Sequence, residues 1–90
     1  MDKPLVRIEN WSVVDSVISP GYRQLAPGKR LTGSILGHAD LPNGIIYTSV
    51  IMNVDAAAGL VETVNTRYQL GAIDEEYDHW CRAQTEQRAA

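Results

Sequence analysis

Four side chains near the clearest hairpin of the sequence are of the types that build a hydrolytic centre. His38 and Asp40 flank the turn of this hairpin, and Thr48 and Ser49 lie on its return strand. A histidine between a hydroxyl and a carboxylate can activate the hydroxyl as a nucleophile. Such a centre also needs an oxyanion hole and a cleft, which a larger scaffold normally supplies. We therefore predict no catalytic residue and no enzyme, with His38 bonded to the turn backbone. A small hydrolytic enzyme that uses His38 as general base is the alternative.

The soft metal ligands of the chain are too few for a metal site. His38 and His79 lie on different elements, and Cys81 is the one cysteine. A structural zinc site takes four such ligands, and a catalytic site takes three plus water. No P-loop, dinucleotide-binding glycine motif or H-E-x-x-H motif occurs. The sequence therefore predicts no metal and no cofactor. Cys81 is expected to be a small buried side chain, with a reactive exposed thiol as the alternative.

The charge balance disfavours binding to nucleic acid. Eight Lys and Arg face eleven Asp and Glu, for a net charge of -3, whereas proteins that grip phosphates usually carry an excess of base. Tyr47 and Tyr68 could stack bases on one sheet, so a single-stranded nucleic-acid-binding module is kept as a further alternative. No apolar run approaches the roughly 20 residues of a membrane-spanning helix. We expect no membrane association.

Two polar segments are candidates for binding a protein partner. The acidic run at 74–78 suits a helix start, where carboxylates interact with exposed amide groups, and a partner-binding patch is its second interpretation. The loop at 22–25 carries Tyr and Arg, which are enriched at binding hot spots. The predicted binding residues are Tyr22, Arg23, Asp74, Glu75, Glu76 and Asp78.

The elements that must position these groups form one small domain, residues 1–90, with a β-rich body at 5–71 and a helix at 74–88. Turn motifs with proline and glycine occur at 19–21 and 26–28. Residue alternation and β-branched side chains predict the following extended segments: 5–8, 11–17, 30–38, 45–54, 60–64 and 67–70.

The second strand of the main hairpin, 45–54, carries apolar side chains on both faces. This pattern predicts a central strand covered on both sides. Gly33 and Gly37 stand four apart on the first strand and so share a face. We expect Trp11 or Trp80 to pack over the gap they leave, or the glycines to permit a bend in the sheet.

The helix needs to dock, because an isolated helix this short is marginal in water. Asp74 is its predicted N-cap. Tyr77, Trp80 and Cys81 recur at helical spacings and form a narrow apolar stripe. Tyr77 and Trp80 are the predicted anchors, since each aromatic side chain buries on the order of 150–250 Å².

The predicted fold class is α+β: a small, strongly curved antiparallel sheet of four or five strands, with a barrel as its limiting form, and one C-terminal helix packed across it. Short motifs spread over most of the chain resemble a small uncharacterised domain encoded by bacteria and prophages. The motifs are Glu9-Asn10-Trp11, Leu31-Thr32-Gly33, Gly37-His38, Asn43-Gly44, Thr48-Ser49, Tyr68-Gln69-Leu70-Gly71, Tyr77 and Trp80. The resemblance implies a cytoplasmic, β-rich bacterial or phage protein, and it carries no known activity.

A chain of this size buries only about 60% of its extended-chain surface, so deep active-site pockets are rare. The leading hypothesis is therefore a non-enzymatic protein-binding module, such as a phage or prophage inhibitor or modulator of a host protein, for example of a defence system. Self-association through an edge strand is a related hypothesis, because an open sheet has two edges to hide.

Overall fold

The computed structural model describes residues 3–15, 21–35 and 44–89 of this chain. They form five strands followed by one helix: β1 (Leu5–Val14), β2 (Arg30–Ile35), β3 (Gly44–Asp55), β4 (Leu60–Thr63), β5 (Arg67–Leu70) and α1 (Glu75–Ala89). The described residues do not include the hairpin turn with His38 and Asp40, nor Gly37, Ser19 and Pro20. The fold class is the predicted one, a small curved sheet with a C-terminal helix.

The five strands close into a ring in the order β1-β2-β3-β4-β5. Consecutive strands pair antiparallel, whereas β1 pairs with β5 in parallel. The parallel closure follows from the strand count, because the fifth strand of an up-and-down series runs in the direction of the first. Each of the five described strands therefore has a partner on both sides. The premise of an open sheet with two edges was wrong, and closure removes the edges through which small sheets associate.

Irregular positions allow the strands to bend around so small a ring. β1 is one strand rather than the two predicted pieces, with a register shift between Glu9 and Ser12. Asn10 lies in this bulge with φ of 51°, a left-handed conformation that Asn tolerates better than most residues. β3 shifts register twice, once against β2 and once against β4. Bulges increase local bend and twist, so the long strand β3 can pair with both β2 and β4.

The core fills the inside of the ring. Its buried apolar side chains come from all five strands and from α1, namely Val6, Ile8, Val13, Leu31, Ile35, Ile51, Val61, Tyr68 and Tyr77. At Gly33 the gap is filled by Ile8, whose Cγ1 would lie 2.9 Å from an added Cβ. The prediction that Trp11 or Trp80 packs there was wrong, because the glycine faces β1 across the ladder rather than the helix.

The outer face of β3 is not covered by the described residues, contrary to the prediction of a strand buried on both sides. Ile45 is 78% exposed and Met52 is 57% exposed. The reason is that α1 packs against β1, so the one helix shields a different part of the ring. Apolar residues on both faces of a strand indicate two-sided burial only where a second layer exists to cover them.

The connection from β5 to α1 runs along β1 and fixes where the helix starts. The Gly71 N–H donates to the Ile8 carbonyl at 2.8 Å, and the Asp74 N–H donates to the Trp11 carbonyl at 2.9 Å. Asp74 is the N-cap, as predicted, since its Oδ2 accepts the Tyr77 N–H at 3.0 Å. The first turn of α1 therefore lies beside the bulge of β1.

Two exposed carboxylates make the stability of this fold sensitive to acid. The Arg7 side chain, followed by the Ala72 N–H, holds the pKa of Glu9 below its ordinary value of 4.5, and Lys29 holds the pKa of Asp15 below 3.8. A lowered pKa in the folded state means that these contacts stabilise the fold fully above the ordinary values and stop doing so as pH falls through the lowered ones.

We therefore expect the urea midpoint to decline as pH falls below 4.5, and to decline less steeply in Glu9→Gln. Urea unfolding followed by circular dichroism at several pH values measures both slopes. The same slope in Glu9→Gln and in the wild type would contradict a role for this carboxylate.

Candidate binding groove

An open groove of about 430 Å³ lies where the bulge of β1, the middle of β2 and the start of α1 meet. We call it the acidic groove. Its base is formed by polar side chains of the two strands, and its rim by a loop tyrosine, an isoleucine of β3 and two carboxylates of the helix start. These side chains are Asn10, Ser12, Thr32, Ser34, Tyr22, Ile45, Asp74 and Glu76.

The hydroxyls at the base differ in how they are satisfied. Thr32 Oγ1 donates to the Ile46 carbonyl at 2.8 Å and is thereby engaged within the sheet. Ser12 is only 7% exposed and lines the groove. Within the part of the chain that the structure describes, the Ser12 hydroxyl has no hydrogen-bond partner. Most buried polar groups in folded proteins have one, so this hydroxyl is available to a molecule in the groove.

The electrostatic character of the groove is negative. Asp74 uses one carboxylate oxygen to cap the helix, and Glu76 is an exposed side chain of the first turn. Burial, followed by the charges of Asp74 and Glu76, raises the pKa of the Tyr22 phenol. Both carboxylates are thus close enough to Tyr22 to disfavour a further negative charge in the groove and to favour a positive one.

A cluster of four aromatic side chains supports the groove from behind. Tyr77 is 1% exposed; its ring stacks on Trp80 at 5.8 Å, meets Tyr22 edge-on at 5.3 Å and lies 5.8 Å from Trp11. The Tyr77 hydroxyl donates to the Arg23 carbonyl at 2.6 Å, and burial raises its pKa. The cluster joins β1, the loop and α1. Tyr77 and Trp80 are therefore the anchors that were predicted.

The structure brings together three of the six predicted binding residues: Tyr22, Asp74 and Glu76. The other three have different roles. Arg23 Nη1 donates to the Tyr22 carbonyl at 2.8 Å, and Asp78 forms an ion pair with Arg82 at 3.1 Å along the helix. Glu75 is exposed outside the groove.

Six groove residues were not recognised as such in the sequence: Asn10, Ser12, Thr32, Gly33, Ser34 and Ile45. The alternation of Thr32 and Ser34 places them on one face of β2 and was a usable signal. No sequence signal marks Asn10 and Ser12, because their positions depend on where β1 bulges.

Of the four residues considered for a hydrolytic centre, the structure describes Thr48 and Ser49. His38 and Asp40 lie outside the described residues. Thr48 is 3% exposed; its hydroxyl accepts the Leu31 N–H at 3.0 Å and donates to the Ser49 carbonyl at 2.7 Å. Both bonds serve the sheet, so Thr48 has a structural role.

Two other predicted features can be placed. Tyr68 is 2% exposed and lies in the core, so the proposed stacking platform of Tyr47 and Tyr68 was wrong. Cys81 is partly buried against the core, which lies between the buried side chain and the exposed thiol considered for it.

No three His, Cys, Asp or Glu side chains of the described residues lie together in an arrangement that could hold a metal ion. Among residues 3–15, 21–35 and 44–89, no helix has the length and apolar character needed to cross a membrane.

A second, smaller cavity of about 160 Å³ lies between β3, β4 and β5. It contains none of the six predicted binding residues.

Comparison with known proteins yields no matching family model, no matching curated protein and no matching solved structure. The resemblance to a bacterial and prophage domain stays a prediction.

Proposed function

We propose that this chain is a non-enzymatic protein-binding module that binds its partner through the acidic groove and the adjoining face of β3. Following the sequence resemblance, we further propose that a phage or prophage encodes it as an inhibitor or modulator of a host protein, acting in the bacterial cytoplasm. The observation that carries the first proposal is the convergence of Tyr22, Asp74 and Glu76 on one open groove with an exposed apolar rim.

The rim gives the groove the composition of a protein interface. Ile45 borders the groove and is 78% exposed, and Tyr47, two residues along β3, is 45% exposed on the same face. Protein interfaces combine an apolar centre with polar surroundings, and Tyr is enriched in them. Apolar side chains beside carboxylates favour a partner segment that presents both an apolar and a basic residue.

Self-association is the other partner class that was predicted for this chain. The ring closure removes its proposed route through an edge strand, so a second copy would have to use the groove or the outer face of β3. Light scattering at increasing concentration distinguishes self-association from binding to a different protein. A mass that stays at 9.9 kDa would exclude self-association, and the partner would then be a different protein.

We expect the immobilised chain to enrich a specific protein from bacterial lysate, and Ile45→Ser to reduce that enrichment about tenfold. Quantitative mass spectrometry of the retained proteins measures the difference. Ile45 is largely exposed, so its replacement leaves the core intact and isolates the effect on binding.

Met52→Ser is the matched control, because Met52 is an exposed apolar residue of the same strand and lies roughly 20 Å farther along it. This variant should retain the partner. A captured protein that is lost equally from both variants, or no enriched protein at all, would contradict the proposal.

A further inference from the structure

We infer that the acidic groove receives an arginine side chain of the partner, with the Ser12 hydroxyl accepting a hydrogen bond from the guanidinium group and Glu76 pairing with its charge. This inference rests on the proposed function, since it specifies the chemistry of the partner at the same site. Three features of the groove carry it: its charge, an unused buried hydroxyl and an aromatic wall.

The charge of the groove is negative, and among the described residues that line it none is basic. Asp74 and Glu76 line it, and no Lys or Arg of the described residues does. Lys29 pairs with Asp15 at 3.0 Å, Arg82 pairs with Asp78 at 3.1 Å, and Arg23 donates to the Tyr22 carbonyl at 2.8 Å. A cation from outside is the complement that this arrangement lacks.

The Ser12 hydroxyl is independent evidence that something polar enters the groove. Ser12 is 93% buried, lines the groove and has no hydrogen-bond partner among the described residues. Leaving a buried hydroxyl unpaired is unfavourable. A ligand with N–H donors that reaches the base of the groove would satisfy this group.

The choice of arginine over lysine follows from the hydrogen-bond acceptors and the aromatic ring that line the groove. Carboxylate and hydroxyl acceptors both line the groove, together with the aromatic side chain of Tyr22. A guanidinium group presents five donors in one plane, is weakly hydrated and stacks on aromatic rings. An ammonium group is a compact, strongly hydrated point charge and gains less from this arrangement.

The first test titrates arginine amide into the ¹⁵N-labelled protein and follows the backbone amide resonances. We expect saturable shifts at Ser12, Ser34 and Glu76, and weaker shifts both with lysine amide and with citrulline amide, which has the shape of arginine without the guanidinium charge. Equal shifts with citrulline amide and arginine amide, or no shifts with arginine amide, would overturn the inference.

The second test compares two variants with the same change in charge. Glu76→Gln should weaken arginine-amide binding roughly threefold to tenfold, whereas Glu75→Gln should change it less than twofold, because Glu75 is exposed outside the groove. An equal loss in both variants would mean that the affinity reflects net charge alone, and the inference would fail.

The Ser12 hydroxyl is tested by Ser12→Ala, whose amide spectrum first establishes that the fold is retained. We expect arginine-amide binding to weaken roughly threefold. Unchanged affinity in a folded variant would remove Ser12 from the site. If the variant misfolds, the comparison of Glu76→Gln with Glu75→Gln still decides the inference.

Failure of this inference can be told apart from failure of the proposed function. A captured protein that is lost from Ile45→Ser but retained by Glu76→Gln, together with no arginine-amide binding, would leave the binding module standing and overturn the arginine site. Saturable arginine-amide binding without any captured protein would support the site and contradict the proposed function.

Discussion

Tyr77→Ala is expected to release α1 from the strand ring and to lower the free energy of unfolding by about 3–5 kcal/mol, the cost of removing a buried aromatic side chain. Tyr77 is 1% exposed and contacts the rings of Trp11, Tyr22 and Trp80. A small domain has only about 5–15 kcal/mol in total. Because an isolated helix of this length is marginal in water, the helix should melt once it loses this anchor.

Urea unfolding followed by far-ultraviolet circular dichroism measures this effect, together with the helical signal in the absence of urea. Tyr77→Phe is the first control and should cost about 0.5–1.5 kcal/mol, because it removes only the hydrogen bond to the Arg23 carbonyl. Tyr47→Ala is the second control, since Tyr47 is 45% exposed. Equal destabilisation by Tyr77→Ala and Tyr47→Ala would contradict the role of Tyr77 as the anchor.

Gly33→Ala is expected to destabilise the protein by about 1–3 kcal/mol, the usual cost of forcing extra atoms into a packed interior. A Cβ at this position would lie 2.8 Å from the backbone oxygen of Glu9 and 2.9 Å from Cγ1 of Ile8. The backbone oxygen belongs to the neighbouring strand of the ring. It cannot move away without opening the ladder between β1 and β2.

The matched control for Gly33→Ala is Gly21→Ala. Among the described residues, an added Cβ at Gly21 would meet only the tip of the Arg23 side chain, at 3.2 Å, and this flexible group can shift. We expect a change within about 0.5 kcal/mol. Chemical denaturation of both variants gives the comparison, and a Gly33→Ala variant as stable as Gly21→Ala would show that the two strands do not approach as closely as described.

Gly33 also bears on the groove, because it lies between Thr32 and Ser34 at the base. Separation of β1 and β2 would move the Ser12 hydroxyl away from the side chains of β2. Loss of arginine-amide binding should therefore accompany the loss of stability in Gly33→Ala, although Gly33 carries no side chain that could contact a ligand.

Local signals were sufficient for most of the elements. The Asp74 N-cap and the spacing of Tyr77 and Trp80 predict α1 to within one residue at each end. Pro27 and Gly28 predict a turn, and Gly28 has a φ of 90° there, as the third residue of a type II turn requires. These features depend on neighbouring residues and on backbone preferences, which a single sequence displays directly.

The groove depended on more than local signals. Tyr22 and the acidic helix start are marked by residue type, and both were recognised, but nothing in the sequence says that a loop at 22 and a helix start at 74 meet. Their meeting requires the connection at 71–73 to run beside β1 and the aromatic cluster to join the loop to the helix. Such contacts join residues 55 to 63 positions apart.

By itself the sequence determined the strand-rich body, the C-terminal helix with its cap and anchors, and the acidic and aromatic residue types of the groove, since these follow from spacing and side-chain chemistry. Only the tertiary structure decided that the sheet closes in a ring, that β1 bulges at Asn10, that no described residue covers the outer face of β3 and that Ser12 lines a groove. The physical reason is that closure, register and cover are set by which distant strands pair. That pairing is a property of the whole chain packing around one core.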